Sequence, residues 1–265
     1  VRVTVLYTPD GEGGVRTLEF AIPFSVESDS RSLPGCQYLA AETEPEFLEA
    51  RMLNPRKIFT HCKLVTRLTG YQRRPFSFCT DVAAEERLRV EKKQETQHAI
   101  LLTHIAEKDF TFTEEVNLSP GREGAAELLT NQISSTVTET KIVGSKLIFK
   151  GIFSISLLYR TASGECGSTT AELPFSQIME VEGAVEGSDA SLQLQLTGTD
   201  LQIDGDDPEG RQIAVTLYIH ATALLREEQD LTLLSDLYST AYDMTYEAAP
   251  LSVIPSCWGA ATRRT

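Results

Sequence analysis

The acidic loop DGDDPEG, from Asp204 to Gly210, places three carboxylates within four positions, at Asp204, Asp206 and Asp207. Carboxylate oxygens are preferred ligands of Ca²⁺, so this spacing could serve a calcium site. The loop lacks the glutamate that closes an EF-hand loop. Asp, Gly and Pro are also the residues that build tight turns between strands. The sequence therefore favours a solvated hairpin turn, with calcium binding as the alternative.

Four histidines, His61, His98, His104 and His220, are the other candidate metal ligands. They show neither HxxxH spacing nor paired cysteines, whereas zinc requires three or four converging ligands. His61 and His220 lie in roughly equivalent strands of two similar segments, which favours a repeated structural position. We therefore expect no metal site.

The sequence offers no recognisable catalytic nucleophile or phosphate-binding loop. GxSxG, a supported SxxK and a Cys–His arrangement are all missing from it, and no glycine-rich stretch joins a strand to a helix. Adjacent acidic pairs occur at Glu85-Glu86, Glu114-Glu115 and Glu227-Glu228. Neighbouring residues of a strand face opposite sides, so such pairs would not share an active site. We expect no enzymatic activity, no catalytic residues and no cofactor.

The charge and the cysteines narrow the classes of partner. With 24 basic and 38 acidic residues the chain carries a formal charge of −14, which disfavours a phosphate backbone or an anionic lipid surface. No apolar run approaches the ~18 residues that a membrane-spanning helix needs. The five cysteines are widely spread without paired spacing, which is not typical of a disulfide framework. We expect no nucleic-acid partner and no membrane span.

Two parts of the sequence resemble each other. LYTPDGEGGVRTLEFAIPFS begins at Leu6, and LYRTASGECGSTTAELPFS begins at Leu158. Further along, NPRKIFTHCKLVTRL from Asn54 parallels EGRQIAVTLYIHATALL from Glu209. A third pair of landmarks, FCTD and YSTAYD, keeps the same order at an offset of about 150 to 160 residues. A recurrence of this kind indicates an internal duplication.

Period-two alternation in these segments predicts strands. Val1, Val3 and Val5 share one strand face, as do Phe153, Ile155 and Leu157 in the second copy. Polar, glycine-containing turns follow both strands and predict hairpins. The fold class predicted is mainly β, with tandem antiparallel β-sandwich-like domains.

One short helix is predicted in the connecting region, near residues 121–135. Ser119 and Pro120 suit the start of a helix. Apolar residues then follow at helical spacing, at Ala125, Leu128, Leu129 and Ile133.

The second copy resembles a known family. ETKIVGSKLIFKGIFSISLLY, ELPFSQIMEVEGA and RQIAVTLYIHATALLREEQDLTLLSDLYST are similar to the SPOCS domain of spore-coat morphogenetic proteins from endospore-forming bacteria. The organisation predicted is a first, N-terminally incomplete SPOCS-like repeat at 1–81, a complete second unit at 82–250 that includes the helix, and the start of a C-terminal extension at 251–265. The first repeat is the weaker match, because FCTD and SRSLPGCQ depart from the family pattern.

The resemblance implies a non-enzymatic structural protein of the spore coat or forespore surface. It implies spore-coat or coat-base proteins, or further copies of the chain, as partners, and peptidoglycan contact only through a part outside this chain. Two alternatives remain open: a cell-wall glycan-binding module at the surface, and a subunit of an extracellular or spore-surface fibre.

Candidate partner contacts lie at the repeated Pro-Phe-Ser corner and in a tyrosine series. The corner supplies Pro23 and Phe24 in the first copy and Pro174 and Phe175 in the second. Edge strands of a sheet can accept a further strand, which makes these corners candidates. The tyrosines recur every four residues and either pack on their own domain or serve a neighbour; they are Tyr238, Tyr242 and Tyr246.

Overall fold

The computed structural model describes residues 1–11, 14–27, 33–73, 75, 77–245 and 247. Ten antiparallel strands account for most of these residues, which confirms the mainly β class. Two short 3-10 turns, Leu33–Gly35 and Glu86–Leu88, precede β3 and β5. The strands are β1 Arg2–Tyr7, β2 Arg16–Ala21, β3 Tyr38–Asn54, β4 Lys57–Tyr71, β5 Val90–Asn117, β6 Ala125–Val143, β7 Lys146–Thr161, β8 Cys166–Glu180, β9 Asp189–Ile203 and β10 Gln212–Ser239.

The strands form four sheets. β1 pairs with β2 and β3 pairs with β4 as two separate hairpins, while β6-β7-β8 and β5-β10-β9 are three-stranded sheets. The hairpins β1–β2 and β7–β8 occur where the sequence predicts them. β6 lies beside β9 and β8 beside β5, so the margins of the two larger sheets meet.

The two larger sheets bury one common core. On β10 the alternation predicted from the sequence places Ile213, Val215 and Leu217 inward, fully buried, and intervening residues outward. β7 contributes Phe153 and Ile155 to the same cluster of buried residues. A pleated strand presents alternate side chains to each face, so both strands fill this core with every second residue. A sandwich geometry for these layers stays a prediction.

The prediction of a helix near residues 121–135 is wrong. Residues 125–143 form strand β6, which pairs with β7 along its length, and no α-helix occurs within the described residues. Ala125, Leu129 and Ile133 are four residues apart, and this spacing places side chains on one face of a strand as well as of a helix. The threonines and β-branched residues that follow favour a strand, and pairing with β7 decides the outcome.

No helix in the described part of the chain has the length and apolar character needed to cross a membrane.

Candidate interaction surfaces

The two Pro-Phe-Ser corners have opposite environments. Pro23 and Phe24 follow the end of β2, and Phe24 is 50% exposed. Pro174 and Phe175 lie inside β8, where Phe175 is only 6% exposed. A partner can therefore reach Phe24 directly, whereas Phe175 is accessible only if the core opens.

The ring of Phe175 belongs to an aromatic cluster. It stacks on Phe153 with ring centroids 4.4 Å apart and meets Phe149 edge-on at 6.3 Å. The ring of Phe110, on β5 of the other sheet, has its centroid 6.3 Å from that of Phe175. These are the separations at which aromatic pairs add to the stability gained by burial. Phe175 thus acts as a residue of the core between the two larger sheets, and Pro174 beside it is exposed.

The described tyrosines of the C-terminal series are exposed. Tyr238 lies near the end of β10 and Tyr242 follows it, and both residues are more than half exposed. Ser239 fixes the chain between them, because its hydroxyl accepts hydrogen bonds at 3.1 Å from the backbone N–H of Ala241 and of Tyr242. Tyr246 lies outside the described residues. A role for these rings in partner contact stays a prediction.

Hairpin β3–β4 carries an apolar face that the sequence analysis did not identify. Cross-strand pairing sets Leu48 beside Cys62 and Met52 beside Ile58. Leu48 is 57% exposed and Met52 is 73% exposed. The residues of this face, here called the apolar hairpin face, are Leu39, Ala41, Leu48, Met52, Ile58, Cys62, Leu64 and Leu68. Leu39, Leu48, Met52 and Leu68 are exposed, whereas Ile58, Cys62 and Leu64 are half-buried. Grouped exposed apolar residues mark an interaction site more often than scattered single residues do.

The equivalent face of β10 is covered and forms part of the hydrophobic core. Both β4 and β10 begin directly after the arginine of the repeated segment, Arg56 or Arg211. In that alignment Leu64 corresponds to Ile219 and Cys62 to Leu217. Ile219 and Leu217 are almost completely buried in the core of the two larger sheets. The equivalent positions are thus fully covered on β10 and only partly covered on β4, where Cys62 and Leu64 are half-buried. The signal was present in the alternation of β4, but alternation alone does not reveal whether a face is covered.

Hairpin β3–β4 contacts strand β10 through its opposite face. The Tyr38 hydroxyl lies 3.1 Å from Oγ1 of Thr222 on β10. Partial burial raises the pKa of the Tyr38 hydroxyl, and the nearby Glu107 carboxylate raises this pKa further, against the Thr222 hydrogen bond. The Tyr38 and Tyr71 rings are tilted against each other at 5.8 Å. This contact leaves the apolar hairpin face outward.

His220 joins two carboxylates on the same face of the β5–β10 pair. Its Nδ1 lies 2.7 Å from Oδ1 of Asp109 and its Nε2 lies 3.0 Å from Oε1 of Glu107. A protonated ring donates through both nitrogens. The Asp109 hydrogen bond therefore raises the pKa of His220, burial opposes the rise, and Glu107 adds to it. The group is an electrostatic link between neighbouring strands.

The loop at Asp204 to Gly210 forms a turn with internal hydrogen bonds. Asp207 Oδ1 accepts from the backbone N–H of Glu209 at 3.0 Å, and Oδ2 accepts from that of Gln212 at 2.8 Å and from that of Arg211. The backbone donors hold the pKa of Asp207 below its usual value. Asp204 accepts from the N–H of Asp206 at 3.0 Å. These bonds fit the hairpin-turn interpretation, because the Asp207 oxygens serve the backbone.

Across the described ranges, no group of three or more His, Cys, Asp or Glu side chains is placed to hold a metal ion.

Comparison with known families gives a match over part of the chain. Residues 124–204 match the family model described as SipL, SPOCS domain. This range starts one residue before β6 and ends one residue after β9. The match supports one SPOCS domain in the chain and associates the chain with spore-related proteins. Two tandem copies stay a prediction, as do the domain boundaries. No curated protein and no solved structure matches the chain significantly.

Proposed function

We propose that this chain is a non-enzymatic structural protein of the bacterial spore envelope that assembles with coat or coat-base proteins, or with further copies of itself, through exposed surfaces of its β-domains. Its place of action is the coat or forespore surface. The observation that carries the proposal is the SPOCS match at residues 124–204, because it links the chain to spore-related proteins.

The distribution of apolar surface supports assembly through the N-terminal hairpins. Among the described residues, Val3 is the one buried apolar residue before Ala99, and the remaining core residues come from the second unit. Hairpin β3–β4 instead exposes the large apolar side chains of Leu48 and Met52, and the segment after β2 exposes Phe24. Exposure of this extent is unusual for a surface without a partner.

The N-terminal hairpins fit the prediction of a first copy that has fewer strands than the second. Hairpin β1–β2 followed by β3–β4 repeats the order of β7–β8 followed by β9–β10. β7 and β10 have further neighbours, β6 and β5, for which the first 81 residues offer no counterpart strand within the described residues. We propose that residues 1–81 and 82–250 are two copies of one sandwich-like unit. Several weak contacts on tandem units raise overall binding strength through avidity.

A localisation experiment in the sporulating bacterium that produces the protein tests this function. A fluorescent fusion of the chain is expected to gather at the forespore periphery. The variant Leu48→Gln/Met52→Gln, which makes the apolar hairpin face polar, is expected to stay diffuse in larger part. The control Val185→Gln/Leu196→Gln removes two exposed apolar residues of the second unit and should localise normally.

Two results would contradict the proposal. A wild-type fusion that stays diffuse throughout sporulation would exclude a role in the envelope. Sedimentation of the purified chain with purified peptidoglycan, without capture of coat proteins, would favour the glycan-binding alternative.

A further inference from the structure

β4 offers an open strand edge. Within the described residues β4 pairs with β3 alone, so its other edge carries unpaired backbone N–H and C=O groups. β4 contains no proline, and such an edge is a template for a further strand. The outer edge of β3 is less suitable, because Pro45 lacks an N–H and two register shifts disturb the strand, at Pro45/Phe47 and Met52/Asn54.

The second unit shows how the equivalent edge is filled. β10 carries β9 on one side and β5 on the other, with Gln212 opposite Asn117 and Leu225 opposite His104. When Arg56 is aligned with Arg211, each residue of β4 corresponds to a residue of β10, and the pairing of β10 with β5 predicts which positions an added strand would face on β4. A strand of the β5 type would then run from opposite Lys57 to opposite Gly70.

The charge of β4 selects the kind of strand that fits. β4 carries Lys57, Lys63 and Arg67 and no acidic residue, in a chain with a net charge of −14. Its neighbour β3 is acidic and forms the ion pairs Glu42–Arg67, at 3.7 Å, and Glu46–Lys63. These charges lie on the face opposite the apolar hairpin face. A strand added at the free edge of β4 would therefore bind best if it carried acidic residues on the face of Lys63 and Arg67 and apolar residues on the side of the apolar hairpin face.

We propose that the free edge of β4 binds an extended acidic segment of a partner protein by β-strand addition, in the register that β5 uses on β10. The inference rests on the proposed function, since it names the chemistry of the partner. The partner strand continues the β3–β4 sheet with backbone hydrogen bonds, and its alternate side chains give specificity.

The β5 sequence illustrates the complementarity. In the transferred register Glu107 lies opposite Arg67, and Asp109 lies diagonal to Lys63. On the other face Phe110 and Phe112 come beside Leu64 and Cys62, where they would cover part of the apolar hairpin face. In the second unit these same phenylalanines pack against the core.

A labelled peptide with the sequence of residues 104–117, HIAEKDFTFTEEVN, provides the probe. Fluorescence anisotropy with the whole chain should show saturable binding that weakens as salt screens the charge pairs. The peptide with Glu107→Lys should bind about fivefold more weakly, as expected for loss and reversal of one cross-strand charge pair. Absence of saturable binding at low salt would overturn the proposal.

A charge-swapped variant tests the register while it keeps the hairpin intact. Glu42→Arg/Arg67→Glu preserves an opposite-charge pair between β3 and β4 but inverts the charge that β4 presents. This variant should lose affinity for the original peptide and recover it for the Glu107→Lys peptide. Equal loss with both peptides would overturn the register. Circular dichroism confirms that the variant keeps its β content.

Backbone methylation separates strand addition from simple charge attraction. One peptide is N-methylated at odd-numbered positions and the other at even-numbered positions. Only one of these two sets of N–H groups faces the edge of β4, so only one peptide has its edge-facing donors blocked. Strand addition predicts that one parity abolishes binding and the other preserves it. Equal binding of both overturns strand addition.

Light scattering of the chain alone tests the alternative occupant, a second copy. Concentration-dependent dimers that the charge-swapped variant abolishes, together with no peptide binding, would assign the edge to a second copy and overturn the acidic partner. Normal envelope localisation of a chain that fails to bind the peptide would leave the proposed function intact and remove only this inference.

Discussion

The Tyr38 hydroxyl lies 3.1 Å from Oγ1 of Thr222, although 184 residues separate the two in sequence. This hydrogen bond ties the start of β3 to the outer face of β10. Because successive residues of a strand face opposite sides, the contact of Tyr38 with β10 directs its neighbour Leu39 outward, where it is exposed. Attachment of the hairpin and exposure of its apolar face are thus two consequences of one register.

Removal of this hydroxyl should loosen the hairpin more than it affects the core. Tyr38→Phe keeps the ring contact with Tyr71 but loses the hydrogen bond, for an expected cost of about 0.5–1.5 kcal/mol. Hydrogen exchange should rise in β3 and β4 and stay unchanged in β7. Tyr238→Phe, at an exposed tyrosine, is the control. Equal exchange in both variants would show that the Tyr38 contact does not hold the hairpin.

The matched corner residues Phe24 and Phe175 should respond very differently to truncation. Phe175→Ala removes a ring stacked in the core and should destabilise the protein by about 3–5 kcal/mol. Phe24→Ala removes an exposed ring and should change the free energy of unfolding by less than about 0.5 kcal/mol. Urea unfolding of both variants measures the difference. Similar losses would mean that the Phe24 corner is also packed.

This pair shows how far the sequence can predict the site. The motif Pro-Phe-Ser is the same in both copies, but β8 continues through Pro174 to Glu180 whereas β2 ends at Ala21. Burial depends on whether a neighbouring strand extends the sheet past the corner, and β7 does so opposite Pro174. The local Pro-Phe-Ser motif does not indicate this long-range pairing of β7 with β8.

Strands were predictable where alternation was regular, as in β7 and β10, because every second residue enters the core. β6 was misread because its apolar residues are spaced by four and register shifts interrupt its pairing with β7. Exposure of the apolar hairpin face was not predictable either. Whether an alternating strand is covered depends on neighbours elsewhere in the chain or in a partner.

Stability should depend on the protonation of His220. Asp109 and Glu107 raise the pKa of this ring in the folded protein, above the unfolded value of about 6.5. The stabilisation is therefore complete below about pH 6.5 and is lost as the pH rises through the folded pKa. NMR titration of the His220 ring should report the raised pKa, and Asp109→Asn should lower it.

Urea unfolding provides the matching stability measurement for His220. The difference in stability between the wild type and His220→Gln should be larger at pH 5.5 than at pH 8.5. A difference that is the same at both values, with a ring pKa at or below that of a free histidine, would contradict the ion-pair assignment.

We expect the acidic turn at Asp204 to Gly210 to have a structural role and to bind no calcium. Asp207 accepts three backbone N–H groups, so Asp207→Ala should lower the melting temperature. Asp206→Ala is the control and should have little effect, since Asp206 joins the hydrogen bonds of the turn only through its backbone N–H. Millimolar Ca²⁺ should leave the wild-type melting temperature unchanged. A clear rise with Ca²⁺ that Asp206→Ala abolishes would favour the calcium-site alternative.

Gly151 should tolerate no side chain, because it lies opposite Phe175 on the paired strands β7 and β8. A Cβ at Gly151 would come within 2.5 Å of the Phe175 ring and also too close to the carbonyl oxygen of Thr136. Gly151→Ala should therefore destabilise the protein by about 1–3 kcal/mol through overpacking. Gly121→Ala is the matched control, because apart from the adjacent residues of the chain no heavy atom lies within 4 Å of its Cβ position.

A double variant identifies the cause of the Gly151 effect. In Gly151→Ala/Phe175→Leu the smaller side chain relieves part of the clash, so the combined loss should be less than the sum of the two single losses. Additive losses in urea unfolding would show that backbone contact with Thr136, and not the ring of Phe175, requires glycine at this position.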